Sequence, residues 1–160
     1  MRKILLDTSF LITLLSEERE NHNVALQYYK YCLDNNYPLF LSTICISEYC
    51  LKGRIEELPL DDLIVLPFNA DDAIKSADLN FKNYIENDST RIVVKDDFKL
   101  IGQAEVRNCD LLLTGDKNTL FRYVKKLKSA GKIKLDAITL EFFKPSLISG
   151  NTSDDQLEML

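Results

Sequence analysis

The stretch KILLDTSFLI, residues 3–12, places a single aspartate between two apolar runs. Residues 3–6 have the length and apolar character of a buried strand, and residues 9–15 fit a helix. Asp7 therefore lies between the predicted strand and the predicted helix. A carboxylate between apolar segments costs free energy unless it is hydrogen-bonded or binds something. This stretch alone supports a helix N-cap and a functional role for Asp7 about equally.

Apolar runs of strand length alternate with helix-like segments along the rest of the chain. The predicted strands cover residues 3–6, 38–44, 63–68, 110–114 and 132–135, and the predicted helices cover residues 9–15, 22–36, 43–53, 70–85, 97–108 and 117–129. Nearly continuous apolar strands separated by helices are typical of a parallel sheet covered on both faces. We predict a three-layer α/β/α sandwich with a four- to five-stranded, mainly parallel sheet.

The length of 160 residues fits one domain. We assign residues 1–145 to this domain and residues 146–160, which are polar and acidic, to a flexible C-terminal tail. Two local details are also predicted. Gly53 caps the C-terminus of its helix, and the helix over residues 70–85 buries Ala73, Ala77, Phe81 and Tyr84 on one face.

The composition excludes several classes of protein. No apolar run approaches the roughly 20 residues that a membrane helix needs, so we expect a cytoplasmic protein. The four cysteines form no C-x-x-C pair, which favours reduced thiols over a zinc site. The one histidine, His22, is best interpreted as a surface or capping residue. The net charge of −5 argues against indiscriminate nucleic-acid binding but leaves room for a local basic surface.

Three acids follow predicted strands closely. Asp7, Glu48 and Asp116 come after the first, second and fourth of them. Ligands of parallel sheets bind outside the carboxyl ends of the strands, so we expect these side chains to share one edge. Asp116, like Asp7, has an N-cap as its equal alternative. Glu48 is expected to share an apolar helix stripe with Ile44 and Leu51, where a carboxylate needs a partner.

A fourth acid is predicted from the helix over residues 97–108. Its apolar face of Leu100, Ile101 and Ala104, extended backwards by one turn, reaches Asp97 at the start of the helix. Asp96 lies off that face and is the better N-cap. Four carboxylates directed at one place repel each other unless a cation is present. Oxygen ligands without His or Cys suit Mg²⁺ or Mn²⁺, which activate water and bind phosphodiesters.

Four stretches in this order resemble the PIN-domain ribonucleases, and among them the VapC-type toxins of bacterial and archaeal toxin–antitoxin pairs. They are LLDTSFLI (5–12), STICISEY (42–49), KDDFKLIGQA (95–104) and DLLLTGDKN (110–118). The resemblance extends over about residues 3–121. Any one stretch is a weak signal, whereas the ordered set is specific.

The resemblance implies a metal-dependent endoribonuclease that leaves 5′-phosphate and 3′-hydroxyl ends. Its catalytic and metal-binding residues would be Asp7, Glu48, Asp97 and Asp116, supported by Ser9, Thr114 and Asn118. It further implies an Mg²⁺ or Mn²⁺ cofactor, an RNA substrate, a homodimer and a cognate antitoxin that obstructs the site. Gly115 departs from the pattern, because many relatives carry a basic residue there.

Basic residues of the predicted helix over residues 117–129, which follows Asp116, are candidate RNA contacts. Lys117 adjoins Asp116 and is the best phosphate-binding candidate, with Arg122 one turn further on. The alternative for such a run of cations is a solvated helix face. A catalytically silent PIN-like binding module is the main competing function. Aspartate-dependent phosphatases fit less well, because Ser9 occupies the position where a phosphatase would carry its second aspartate. Receiver domains also fit less well, because the predicted strand over residues 63–68 ends without the aspartate that would accept a phosphoryl group.

Overall fold

The computed structural model describes residues 1–85 and 91–150. Its strands are β1 Ile4–Leu6, β2 Leu39–Ser42, β3 Ile64–Leu66, β4 Leu111–Thr114 and β5 Asp136–Thr139. Its helices are α1 Thr8–Leu14, α2 His22–Asp34, α3 Thr43–Tyr49, α4 Ala70–Asp78, α5 Arg91–Val106, α6 Leu120–Ser129 and α7 Pro145–Ser149. Short 3-10 turns lie at Ile55–Glu57, Leu60–Asp62 and Phe81–Tyr84.

The five strands form one parallel sheet in the order β3-β2-β1-β4-β5. The central strand β1 pairs with β2 through Leu5 and Phe40 and with β4 through Leu5 and Leu112. All three residues of β1 are fully buried, as expected of a strand with helices on both faces. The predicted three-layer α/β/α fold with a parallel sheet is confirmed. Its topology brings the carboxyl ends of β1, β2 and β4 side by side.

Helix α5 carries a long apolar face into the core. Val94, Phe98, Ile101 and Ala104 are all buried, at the three- and four-residue spacing of an amphipathic helix. The helix begins at Arg91 rather than at residue 97. Asp96 is therefore not an N-cap, since it lies inside the helix and pairs with Lys99 at 2.9 Å.

The last strand lies four residues later than predicted. Residues 132–135 were expected to form it, but β5 is Asp136–Thr139 and begins opposite Leu111. The N–H groups of Lys134 and Leu135 donate instead to the carboxylate of Glu105, at 3.0 and 2.8 Å. A side chain from α5 thus takes the hydrogen bonds that a strand would have offered to the sheet.

Helix α3 is shorter than predicted. It ends at Tyr49, and its cap is Cys50 rather than Gly53. Gly53 instead follows the helix in a turn, with its N–H donating to the carbonyl of Tyr49 at 2.9 Å. Leu51 is 82% exposed, so the predicted apolar stripe that joined it to Glu48 is wrong.

Helix α4 is buried through polar residues, contrary to the prediction that Ala73 and Ala77 face the core. Both alanines are exposed, and Asp72 and Ser76 are buried instead. Asp72 pairs with Arg107, the residue that follows α5, at 3.3 Å, and the Ser76 hydroxyl donates to the carbonyl of Asp72 in its own helix at 2.7 Å. Because Asp72 has this polar partner, α4 buries a different face from the one that hydrophobicity alone predicts.

Part of the predicted tail is folded. Helix α7 spans Pro145–Ser149 and buries Ile148, and the guanidinium of Arg2 donates to the carbonyl of Leu147 at 3.0 Å. Residues 151–160, the remainder of the predicted tail, lie outside the described residues. Assigning them to a flexible tail stays a prediction.

The cysteines are free thiols, as predicted, and three of the four are buried. His22 opens α2, where its ring nitrogen Nδ1 lies 3.0 Å from the carbonyl of Thr13. Over residues 1–85 and 91–150, the helices are too short or too polar to cross a membrane.

Candidate functional site

Asp7 lies at the centre of the carboxyl edge, directly after β1. Its carboxylate accepts a hydrogen bond from the Phe10 N–H at 2.8 Å and so caps α1, which confirms the N-cap interpretation. The side chain is nevertheless buried. Burial, partly offset by its hydrogen bonds and reinforced by the charge of Asp116, raises the pKa of Asp7 to about 6. A cap alone does not require this cost, so the capping role leaves room for a second one.

Two hydroxyls orient Asp7, and both were predicted as supporting residues. Ser9 donates to the carboxylate at 2.8 Å, and Thr114, at the end of β4, donates to it at 2.8 Å. The Gly115 N–H in turn donates to Ser9 Oγ at 2.8 Å. A Cβ at Gly115 would lie 3.3 Å from Ser9 O, so a larger residue there requires the neighbouring chain to shift. Strands β1 and β4 are locked together at the site through these bonds.

Glu48 approaches the same edge from α3. Its carboxylate oxygen Oε2 accepts a hydrogen bond from the hydroxyl of Thr8, the first residue of α1. The Glu48 side chain is half-buried. Glu48 is thus directed at the site by a hydroxyl on the element that also carries Asp7.

Asp97 is the most perturbed carboxyl group of the site. It lies in the interior of α5 rather than at the predicted helix end. Burial, followed by the charges of Asp116, Asp7 and Glu48, raises the pKa of Asp97 to about 8, against a lowering hydrogen bond from Thr119. Within the described residues, its buried oxygen Oδ2 has no hydrogen-bond partner.

Asp116 follows β4 through one glycine and organises the turn into α6. One carboxylate oxygen accepts from the N–H groups of Asn118 and Thr119, both at 2.9 Å. The other oxygen accepts from the Thr119 hydroxyl. Asn118 therefore contributes its main-chain N–H to Asp116. Whether its side chain supports the site stays a prediction.

The other three predicted acids lie close enough to Asp97 for their charges to raise its pKa. The ion pairs of the described residues involve other carboxylates, namely Glu57, Asp72, Asp96, Asp136 and Glu141, and leave these four without lysine or arginine. The donors are all oxygen, which suits Mg²⁺ or Mn²⁺. One of them, Asp97 Oδ2, is buried and unbonded, as expected of a ligand whose partner is an ion.

The side chains are not yet placed around a common point. Among the described residues, no three His, Cys, Asp or Glu groups are arranged so as to hold a metal ion. Asp7 and Asp116 have oxygens engaged with N–H groups at helix starts, and Glu48 is engaged with Thr8. The donor set fits a divalent cation in kind, since its potential ligand atoms are all carboxylate oxygens.

The predicted RNA contacts lie beside the acids on the surface. Lys117 is exposed, and its ammonium lies 3.5 Å from the carboxylate of Glu141. Arg122 is exposed, with its guanidinium 3.5 Å from the carbonyl of Asn118. Both side chains border the edge that carries Asp116. Their role in substrate binding stays a prediction.

Two residues of the site were missed by the sequence interpretation. Thr8 orients Glu48, and Thr119 bonds Asp116 and also influences Asp97. A signal was present, because each threonine adjoins a predicted acid or its turn at the start of a helix, where hydroxyls commonly bond to local groups. Their targets were not readable, since Thr8 and Glu48 are 40 positions apart in the chain.

Sequence comparison and structural comparison give different results. The chain matches no protein-family model, and no curated protein matches it significantly. Solved structures do match over most of the chain. The DNA-bound VapBC of Salmonella typhimurium is 17% identical, with 88% of this chain and 99% of that chain covered and a TM-score of 0.52.

Two further solved structures extend the likeness. A toxin–antitoxin complex from Klebsiella pneumoniae is 15% identical, with a TM-score of 0.57 and coverage of 88% of this chain and 100% of that chain. VapC20 of Mycobacterium tuberculosis, described as a sarcin–ricin loop cleaving toxin, is 15% identical, with a TM-score of 0.54 and coverage of 82% and 98%. The chain therefore has the PIN-domain fold of VapC-type proteins, and the predicted resemblance is confirmed at the level of fold.

Proposed function

We propose that this protein is a metal-dependent endoribonuclease and the toxin of a type II toxin–antitoxin pair. The observation that carries the proposal is Asp97. Its carboxyl group lies buried among three other acids, its pKa is raised to about 8, and its oxygen Oδ2 has no partner among the described residues. A buried acid kept in this state costs stability, and perturbed acids of this kind are concentrated at functional sites.

Asp7, Glu48, Asp97 and Asp116 are the residues that would hold Mg²⁺ or Mn²⁺. A bound cation of this type supplies the activation of water and the neutralisation of charge on a phosphodiester. The hydroxyls of Thr8 and Thr119 direct Glu48 and Asp116 towards the site. Asp97 holds a proton at neutral pH when no cation is present, because its pKa lies above 7. Cation binding is therefore expected to release a proton from Asp97.

The proposed partners follow from the fold and its neighbours. The matched structures include VapBC complexes and a toxin–antitoxin complex, and nearly the whole length of each matched chain is covered. We propose a cognate antitoxin that obstructs the carboxylate edge, a homodimer, and RNA as the substrate. Growth arrest on expression of this chain, relieved by coexpression of a small neighbouring gene, is the expected result. Growth unaffected by the chain at verified expression would contradict the toxin role.

The activity is tested with purified protein and structured RNA. Cleavage is expected with Mn²⁺ or Mg²⁺, and loss of cleavage is expected with EDTA or in Asp97→Asn. The matched control is Asp96→Asn. It changes the neighbouring residue of α5, which pairs with Lys99 and is not one of the four acids. Cleavage that continues in EDTA, or that survives Asp97→Asn, would overturn the metal mechanism.

A catalytically silent PIN-like module is the second candidate. It is favoured by the finding that, among the described residues, no three His, Cys, Asp or Glu side chains are arranged so that they could hold a metal ion. The helix-capping bonds of Asp7 also give that residue a structural reason to be present. Thermal melting separates the two candidates. A Tm that rises with Mn²⁺ in the wild type but not in Asp7→Asn supports the nuclease. A wild-type Tm that Mn²⁺ leaves unchanged supports the silent module.

A further inference from the structure

The longest basic stretch of this acidic protein covers residues 117–135. It contains seven lysines and arginines and no acidic residue, in a chain of net charge −5. Helix α6 and the segment after it carry this stretch along the β5 edge of the sheet. Its alternative explanation, a solvated helix face, does not account for a cavity that opens beside it.

A groove of about 530 Å³ runs along β5, between α6 and the segment that follows β5. Its cationic lining residues are Arg2, Lys125, Lys128 and Lys134, and its acids are Asp110, Asp136 and Glu141. We define these surroundings of β5 as the β5 groove. It reaches from the amino end of the sheet, at Asp110, to Glu141 beyond the carboxyl end of β5.

The lysines and arginine that line the β5 groove are not fully neutralised by its acidic residues. Lys125 and Lys128 both contact the single carboxylate of Asp136, at 2.5 and 2.7 Å. The guanidinium of Arg2 donates to the main-chain carbonyl of Leu147, which carries no net charge. Glu141 is paired with Lys117, which lies outside the lining. With Asp110 included, four cations line the groove against three acids, so an excess of one positive charge remains for an anionic ligand.

An aromatic side chain stands at the same groove. Phe142 is 61% exposed and lines it, although large apolar residues favour burial. Its main chain is anchored, because the hydroxyl of the buried Tyr28 donates to the Phe142 carbonyl at 3.1 Å. Proteins that bind single-stranded nucleic acids stack the bases on exposed aromatic rings and contact the phosphates with cations. Phe142 and the neighbouring lysines offer this combination.

The other occupant of a sheet edge, an added peptide strand, is disfavoured here. The Asp136 carboxylate accepts from the N–H of Ala137 in β5 at 2.8 Å and so occupies a donor that an incoming strand would use. Lysines beside an edge strand are also a common device against strand addition. The chemistry of the groove thus points to a polyanion with aromatic bases.

We propose that the β5 groove is an extended binding site for single-stranded RNA that flanks the scissile position. This proposal rests on the proposed nuclease function. Lys117 adjoins Asp116, and its ammonium lies 3.5 Å from the carboxylate of Glu141, so this lysine lies between the carboxylate edge and the groove. A strand held at the four acids passes Lys117 and enters the groove. The flanking RNA then contributes affinity without touching the reacting phosphate.

The experiment measures binding apart from cleavage. A short fluorescein-labelled, single-stranded oligoribonucleotide is titrated with Asp97→Asn protein in EDTA, where no cleavage is expected. In this background, Lys128→Gln combined with Lys134→Gln is expected to raise Kd about ten-fold and to reduce the salt slope by about one unit per lost phosphate contact. The matched control, Lys30→Gln combined with Lys52→Gln, changes exposed lysines that do not line the groove.

The aromatic arm uses Phe142→Ala. Loss of a stacked base is expected to raise Kd about five-fold or more, while the control Leu51→Ala, also at an exposed apolar position, leaves Kd unchanged. Equal Kd values for groove and control variants, with unchanged Tm, would overturn the proposal and favour a protein partner at this surface. Groove-dependent RNA binding by a protein that never cleaves would retain the groove and reject the nuclease.

Discussion

Thr8 donates its hydroxyl hydrogen bond to the carboxylate of Glu48, and this bond joins the first residue of α1 to α3. Asp7, the neighbour of Thr8, is oriented in the same way by Ser9 and Thr114. The acids of the site are thus held by hydroxyls rather than by cations. A hydroxyl orients a carboxylate and leaves its charge available for a metal ion.

Thr8→Val is expected to weaken metal binding more than it weakens the fold. The substitution keeps the shape of the side chain and removes the bond to Glu48, at a cost of about 1 kcal/mol in the free energy of unfolding. The matched control is Thr43→Val, which removes a bond from the Phe68 N–H at 3.1 Å outside the site. Chemical denaturation gives the stability change, and Mn²⁺ titration gives the affinity. Equal Mn²⁺ affinities in the two variants would contradict a positioning role for Thr8.

Asp97→Asn is expected to stabilise the metal-free protein and to reduce its stabilisation by Mn²⁺. Burial and the three other acids keep Asp97 protonated in the folded state, whereas it ionises on unfolding, so the amide removes a group that favours the unfolded state at neutral pH. It also removes a ligand. The measurement is Tm with and without Mn²⁺, with Asp96→Asn as the control. A metal-free Tm that falls in Asp97→Asn would mean that the carboxylate is a structural partner rather than a ligand.

The stability of the metal-free protein is expected to fall as pH rises from about 4 to 8. The folded pKa of Asp97 is raised to about 8 from an ordinary value of 3.8, so the folded state binds the extra proton over this range. Each pH unit above the ordinary value then costs on the order of 1 kcal/mol, until the folded group ionises. Urea denaturation at several pH values measures the slope. Asp97→Asn should flatten the slope between about pH 6 and 8, because the raised pKa of Asp7 contributes only up to about 6. An unchanged slope in that range would assign the effect to other groups.

Arg107→Met is expected to cost about 2 kcal/mol, because it leaves the fully buried Asp72 without its cation. The arginine side chain is 30% exposed, so the cost is smaller than for a fully buried pair. Adding Asp72→Asn to Arg107→Met should recover part of the loss. A double variant no more stable than Arg107→Met would show that the pair contributes packing rather than charge.

Gly102→Ala is expected to destabilise the fold by about 1–3 kcal/mol. A Cβ at this position would lie 2.3 Å from Ser76 Oγ and 2.7 Å from Ser76 N, where α5 packs on α4. Ser76→Ala removes only the first of these contacts and should not rescue the variant. Denaturation midpoints of the single and double variants test this. Full rescue by Ser76→Ala would show that the main chains of the two helices separate easily.

The order of helices and strands, the parallel sheet and the positions of Asp7 and Asp116 after their strands could be predicted because each follows from a local pattern in the chain. Apolar runs of strand length mark β1 and β4, and acids that directly follow them must lie at the carboxyl edge of a parallel sheet. The start of α5 and the position of β5 were mispredicted. In α5 the apolar pattern continues behind Asp97, and at β5 the Glu105 carboxylate takes the N–H groups of residues 134 and 135.

By itself, the sequence determined the alternation of apolar strands and helices and the residue types at the strand ends, because hydrophobic periodicity and strand direction act over short distances. Only the tertiary structure decided which groups face each acid. Thr114 reaches Asp7 across 107 positions, and α4 buries Asp72 against Arg107 while its alanines face solvent. Pairing across neighbouring strands and helices sets these contacts, and no pattern within one segment carries that information.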